Sequence, residues 1–266
     1  HLQLAARHAQ RWPAAVATRP PTEPPLGFES PGPGPTGRLK IGYFSPDFGD
    51  HPVSHLLCAL FEAHDRDRFE VHAYAFGAGR AGPWRERVRR AVDRFDEVDG
   101  LTDEAVARLA RQHGLQVAVD LAGYTAGARP GVFAARAAPV QVSYVGYLGT
   151  SGAPFIDYLV ADAVLVPPAQ RRFHREQLLS LPCYQCNAPL SEAIGPAPSR
   201  QALGLPDDAA VLCAFNHTYK LLPEVFDDWM RILAQAPQAV LWLYAEQAAA
   251  FEFLRHRAID RGIAGE

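Results

Sequence analysis

The 266-residue chain has no run of about 18 apolar residues, the length a bilayer span needs, so no transmembrane helix is expected. Its first residues, HLQLAARHAQRW, lack the charged-then-apolar order of a secretory signal. Charge of one sign is also scarce. Against 26 Lys and Arg stand 29 Asp and Glu, a net charge of −3 that offers a polyanion no footprint. Neither nucleic acid nor a membrane is therefore expected as a partner. There are only four cysteines, and of these only Cys183 and Cys186 lie close, as CYQC. A structural zinc needs two such pairs, or one pair with histidines at ligand spacing. A redox CxxC opens a helix after a strand, whereas this one sits between prolines. No metal and no cofactor are expected, and reduced thiols fit a cytoplasmic setting.

What is present is a globular composition, 48% hydrophobic and 21% charged, rich enough to bury a core. Residues 1–12 read as a short helix with a partial apolar face of Leu2, Leu4, Ala5 and Ala6. A stretch dense in Pro and Gly follows, which reads as a linker or an extended wrapping segment. From residue 38 strands and helices alternate. Strands are predicted at 39–44, 69–77, 115–123, 140–147 and 157–162. Helices are predicted at 53–64, 83–95 and 102–114. Pro83 suits a first helical position, Thr102 can cap, and Gly114 can end a helix. This βα rhythm implies a parallel sheet with helices on its faces. A second Pro-rich stretch, 182–200, suggests a boundary. After it come strands at 210–215 and 239–245 and helices at 222–237 and 248–262. Two strands and two helices do not complete a doubly wound domain, so the second unit is expected to be incomplete. The expected division is 1–37 helix and linker, 38–182 first unit, 183–200 connection, 201–266 second unit. Ligand would bind between two such units, at strand carboxyl ends.

Four segments could carry chemistry. SPDFGDHPVSH, 45–55, follows the first strand and crowds Asp47, Asp50, His51 and His55 onto one loop. A mostly neutral imidazole at a strand carboxyl end can act as a general base. GYTAGARPGVF, 123–133, has three glycines that permit tight turns, but it fits an ordinary βα turn as well. GYLGTSGAPFIDY, 146–158, exposes N–H and hydroxyl donors. A sugar, a phosphate or a plain Gly-rich loop fits it equally. FNHTYK, 215–220, places Lys220 ahead of a helix amino end, where it can neutralise a phosphate or simply be solvated. Neither unit's first strand is followed by GxGxxG, which argues against a Rossmann-like oxidoreductase.

These segments in this order resemble one family, the protein O-linked N-acetylglucosamine transferases and their Spindly-like relatives, glycosyltransferase family 41. The resemblance runs from about Leu39 to Tyr244 and is densest in GYTAGARPGVFAARAAPVQVSYVGYLGTSGAPFIDYLVAD. It implies a bacterial-type member with a two-lobed α/β GT-B core of Rossmann-like units. Residues 1–12 would then be the remnant of a tetratricopeptide-type helical region. It also implies a UDP-GlcNAc donor, a Ser or Thr hydroxyl of a protein as acceptor, inversion, and no metal. Plant Spindly relatives use GDP-fucose instead. By the same resemblance His51 matches a histidine proposed as base or active-site contact, and Lys220 a lysine that binds the donor diphosphate. Gly146 falls in the sugar-pocket loop. Thr125, with His55 nearby, falls in the acceptor cleft. His217 stands where relatives commonly carry Gln or Asn near the nucleotide. A "HTT"-type turn and an acidic ribose contact, which relatives carry further on, are not found in these residues. The alternatives are a catalytically incomplete fragment that works as a binding module, and a GDP-fucose-dependent enzyme.

Overall fold

The computed structural model describes residues 2–10, 37–77, 81–185 and 195–264. The Pro-rich stretch 11–36 and Cys186 of the CYQC pair lie outside these residues. The chain divides into two compact units, 1–192 and 193–266.

The first unit opens with helix α1 (Leu2–Ala9) and then alternates. The elements are β1 (Leu39–Ser45), α2 (Pro52–Ala63), β2 (Phe69–Ala75), α3 (Pro83–Arg90) and β3 (Arg94–Glu97). There follow α4 (Asp103–Gln112), β4 (Val117–Asp120), α5 (Pro130–Ala134), β5 (Val140–Ser143), β6 (Tyr158–Ala161) and β7 (Gln177–Ser180). The seven strands form one parallel sheet in the order β3-β2-β1-β4-β5-β6-β7. The chain works outward from β1 to β3, then returns to lay β4 against the other side of β1. Successive connections therefore leave β1 and β4 in opposite directions, the topology at which open α/β sheets take ligands beyond the strand carboxyl ends.

Side-chain alternation explains why both faces are buried. Phe44 and Tyr74 point to one face, where their rings stack at 4.5 Å and pack with Phe133, Val106 and Ala107 of α5 and α4. Tyr43, Val71 and Ala73 point to the other, against Leu57 and Phe61 of α2 and Val88 of α3. Burying side chains of this size contributes about 1.5–3 kcal/mol each.

Most expected elements form, with shorter ends, but the helix predicted at 83–95 is corrected. It stops at Arg90, and Arg94–Glu97 is an edge strand on β2. The cause is tertiary. The Asp93 N–H donates to the Val71 carbonyl, and its carboxylate accepts from the Val71 N–H, both at 2.8 Å. Phe95 then lies under the guanidinium groups of Arg85 and Arg89, at 5.1 and 4.3 Å. Strands β3 and β7 and helix α5 were not expected from the sequence.

The second unit pairs β8 (Ala210–Ala214) with β9 (Ala239–Leu243) in parallel. Helices α6 (Pro223–Gln235) and α7 (Ala248–Ile259) follow these strands. Phe226, Met230 and Leu233 of α6 are its buried centre, with Trp229, Leu241 and Leu254 around them. Among the described residues no helix is long and apolar enough to cross a membrane.

Candidate functional site

In the first unit, the loop after β1 is held rigidly by hydroxyls. The Asp47 N–H donates to Ser45 Oγ at 2.9 Å. Ser54 Oγ donates to the Asp47 carbonyl at 2.9 Å and accepts from the Gly49 N–H at 3.1 Å. The buried Phe48 anchors the loop from below, and its carbonyl accepts from the Arg85 guanidinium at 3.0 Å. His51 ends this loop as the N-cap of α2, in extended conformation, with Pro52 at the first helical position. Its Nδ1 accepts from the Val53 N–H at 3.2 Å. Its Nε2 lies 3.7 Å from Oδ1 of the buried Asp47. His55 turns elsewhere. Its Nε2 is 2.9 Å from Asp50 Oδ1, and its ring lies 4.2 Å from that of Trp84 on α3.

The loop after β4 meets the loop after β1, where Gly127 lies against Pro46. Its root is Asp120, the last residue of β4, whose Oδ1 accepts from the N–H groups of Ala122 and Gly123 at 2.9 and 3.0 Å. Burial pushes the Asp120 carboxyl up to about 6, while those two N–H donors pull the other way. Thr125 Oγ1 donates to the Ala122 carbonyl at 2.9 Å, which leaves its oxygen as an acceptor.

The turn after β5 carries unusual backbone. Val145 has φ of +66°, a left-handed conformation that a β-branched residue adopts only under constraint. The constraint is Tyr184. Its hydroxyl donates to the Val145 carbonyl at 2.9 Å, while Tyr144 donates to the Tyr184 carbonyl at 3.0 Å. Gly146 comes next, pressed onto the backbone of Leu121 and Ala122, where no side chain would fit. Further along, Glu176 accepts from Thr150 Oγ1 and the Ser151 N–H, both at 2.6 Å, and from Ser151 Oγ. The structure thus brings His51, Thr125 and Gly146 onto the carboxyl edges of three neighbouring strands. Sequence reasoning missed Asp120, Val145, Tyr184 and Glu176. Only the change from apolar residues to Asp120 at the strand end carried any signal.

In the second unit, His217 precedes and Lys220 ends a single 3-10 turn, Thr218–Lys220, between β8 and α6. The Lys220 N–H donates to the His217 carbonyl at 3.0 Å. The Lys220 ammonium lies 5.8 Å from the centre of the Tyr219 ring. His217 stacks on Tyr219 at 5.4 Å, and its Nδ1 is 2.8 Å from Glu246 Oε1. Asn216, His217, Lys220, Tyr244 and Trp229 line a cavity of about 200 Å³ beside the end of β8. Among the described residues no group of three or more His, Cys, Asp or Glu could hold a metal ion.

Residues 2–184 and 192–266 match glycosyl transferase family 41. A relative from Arabidopsis thaliana, named probable UDP-N-acetylglucosamine–peptide N-acetylglucosaminyltransferase SEC, is 38% identical over 98% of this chain and 28% of its own length. A Petunia hybrida relative, named as a probable transferase of the same kind, SPINDLY, is 32% identical over 78% of this chain and 22% of its own length. A solved O-GlcNAc transferase mutant from Thermobaculum terrenum is 33% identical, with a TM-score of 0.84 over 99% of this chain and 49% of its own. The chain thus spans less than a third of those two curated relatives and about half of that solved chain. With its seven-stranded parallel sheet, its second α/β unit and a family match reaching into both, this chain belongs to glycosyl transferase family 41.

Proposed function

We propose that the full-length protein transfers N-acetylglucosamine from UDP-GlcNAc to Ser or Thr hydroxyls of proteins. The transfer inverts the anomeric centre and uses no metal ion. The observation that carries this reading is Lys220, an exposed cation on the turn into α6, lining a cavity with the aromatic residue Tyr244 and the polar residue Asn216. The Arabidopsis thaliana relative, named for transfer of N-acetylglucosamine from its UDP donor to peptide, supports the choice of sugar and acceptor class.

In the transfer, the acceptor oxygen forms a bond to the sugar C1 while the bond from C1 to the diphosphate oxygen breaks. The electron pair of that bond leaves with the diphosphate, and the hydroxyl proton is released, in the end to water. Negative charge grows on the diphosphate, so a cation placed in advance lowers the barrier. Lys220 supplies that cation, and the N–H groups at the start of α6 add partial positive charge. On the first unit, Thr125 and the turn at Gly146 offer acceptors and donors suited to hydroxyls. The setting is cytoplasmic, where the described cysteines Cys58, Cys183 and Cys213 stay thiols. Nucleic acid and membrane are not partners.

The test is labelling of a protein acceptor pool by the full-length protein with UDP-GlcNAc, and in parallel with GDP-fucose, each with and without EDTA. GlcNAc transfer of β-configuration that survives EDTA is expected. Transfer from GDP-fucose alone would assign a different donor, and no transfer from either would remove the reading.

A further inference from the structure

We infer that Glu176 is a positioning residue of the transfer site. Its carboxylate fixes the turn after β5, which carries Gly146, and through Tyr124 it fixes the loop after β4, which carries Thr125. The inference rests on the transferase reading above for what the two loops do, and on contacts within the first unit for how they are joined.

Residues 144–157 form no helix or strand, so no ladder of backbone hydrogen bonds sets their path. Side chains set it instead. Thr150 Oγ1 and the Ser151 N–H each donate to Glu176 at 2.6 Å, and Ser151 Oγ donates to it as well. The two hydroxyls then accept from the backbone beside them. Thr150 Oγ1 accepts from the Gly152 N–H at 3.0 Å and the Arg175 N–H at 3.4 Å, and Ser151 Oγ accepts from the Ala153 N–H at 3.2 Å. One carboxylate at the amino end of β7 thus organises residues 150–153. Glu176, Thr150 and Ser151 are all buried. On another side Gly152, at φ of +61°, meets the α1 backbone at Ala5 and Ala6 too closely for a Cβ.

Among the described residues no Lys, Arg or His pairs with Glu176. A buried carboxylate without a counter-charge is costly unless donors converge on it, as these three do. An amide in its place would turn its NH2 group toward one of them, donor against donor.

The Ser151 carbonyl carries the link onward, since it accepts from the Tyr124 hydroxyl at 2.8 Å. Burial, and after it the charge of Glu176, pushes the Tyr124 phenol up to about 12, so it stays a donor at neutral pH. Tyr124 directly precedes Thr125, and its ring meets that of Tyr147 edge-on at 5.5 Å. The turn beside the sugar and the loop beside the acceptor therefore keep one spacing. A change in that spacing costs orientation of the reacting groups rather than hold on the nucleotide.

The test uses Glu176→Gln, Tyr124→Phe and the double variant of the full-length protein. Tyr124→Phe removes only the hydroxyl and leaves the carboxylate cluster whole, so it decides the matter if Glu176→Gln does not fold. With UDP-GlcNAc and a protein acceptor, kcat is expected to fall about tenfold or more in Glu176→Gln and about threefold or more in Tyr124→Phe. The Kd for UDP should stay within about twofold of wild type in both, because the diphosphate contact is Lys220. The double variant should be no slower than Glu176→Gln, since both changes cut the same link. Amide hydrogen exchange should quicken at 123–129 and 144–153 in each single variant and stay unchanged in β1. Wild-type kcat in a folded single variant, UDP affinity that falls in step with kcat, losses that multiply in the double variant, or unaltered exchange at 123–129 would each overturn the inference. A wild-type protein that transfers from no nucleotide sugar would overturn the transferase reading and with it the site role, while the exchange result would still decide whether Glu176 joins the two loops.

Discussion

Gly146 stands over the carbonyl of Leu121 so closely that a Cβ at residue 146 would collide with that oxygen. The contact locks the turn after β5 to the turn after β4, and both turns carry candidate site residues. Gly146→Ala must push the two apart. Overpacking of this kind costs about 1–3 kcal/mol. Urea denaturation should show that loss, together with a fall in transfer rate. An unchanged midpoint would contradict the close approach.

Asp120 gives a pH dependence of defined sign. Its folded pKa, about 6, lies above the ordinary carboxylate value because burial disfavours the charged form. Its contribution to stability is therefore complete below about pH 4 and is lost as pH rises through 6. Asp120→Asn keeps an oxygen for the Ala122 and Gly123 N–H groups without the buried charge. The variant should be more stable than wild type at pH 7.5, by about 1–3 kcal/mol for a shift of this size, with the gap closing near pH 4. A variant equally destabilised at both pH values would contradict this.

His72 acts with the opposite sign. It is buried in β2, with Nε2 at 2.8 Å from Glu70 Oε1. Burial lowers its pKa below the ordinary imidazole value, and the nearby Glu70 only partly offsets this. A lowered folded pKa means stability that is present above about pH 6.5 and lost as pH falls. Unfolding measured at pH 7.5 and 5.5 should show a smaller acid loss in His72→Gln than in wild type. Identical losses would contradict that role.

The pair of His217 and Glu246 is half-exposed on both sides, so it should matter little for stability and more for an anion. Glu246→Gln should shift the unfolding free energy by less than about 1 kcal/mol. It should also tighten UDP binding at low salt, because a negative charge near the diphosphate is removed. Weaker UDP binding in this variant would mean that Glu246 holds His217 in the form the ligand needs.

The larger elements were legible because their signals are local. The apolar runs of β1 and β4 and the starts of α3 and α4 follow from periodicity, from Pro83 and from Thr102, whose Oγ1 accepts from the Ala105 N–H at 3.3 Å. Strand β3 was hidden because the contacts that hold the chain after α3, such as Asp93 to Val71 22 residues away, are not local in sequence. Helix α5 has five residues, too few for a helical period to show. At the site, His51 and Lys220 could be singled out by residue type and by position after a strand. The direction in which the His51 ring is capped could not, because it depends on χ angles and on Ser54 and Asp47 closing the loop around it. Val145 gave no sign at all, since its positive φ is imposed by Tyr184, 39 residues on.

The central claim is that Lys220 sits where a nucleoside diphosphate binds. Calorimetric titration of the full-length protein with UDP, for wild type and Lys220→Ala, tests it most directly. Wild type should bind UDP more tightly than GDP. The variant should bind UDP at least about tenfold more weakly, a loss of roughly 1.4 kcal/mol, with its melting temperature unchanged. UDP affinity unaltered by the loss of Lys220 would contradict the account.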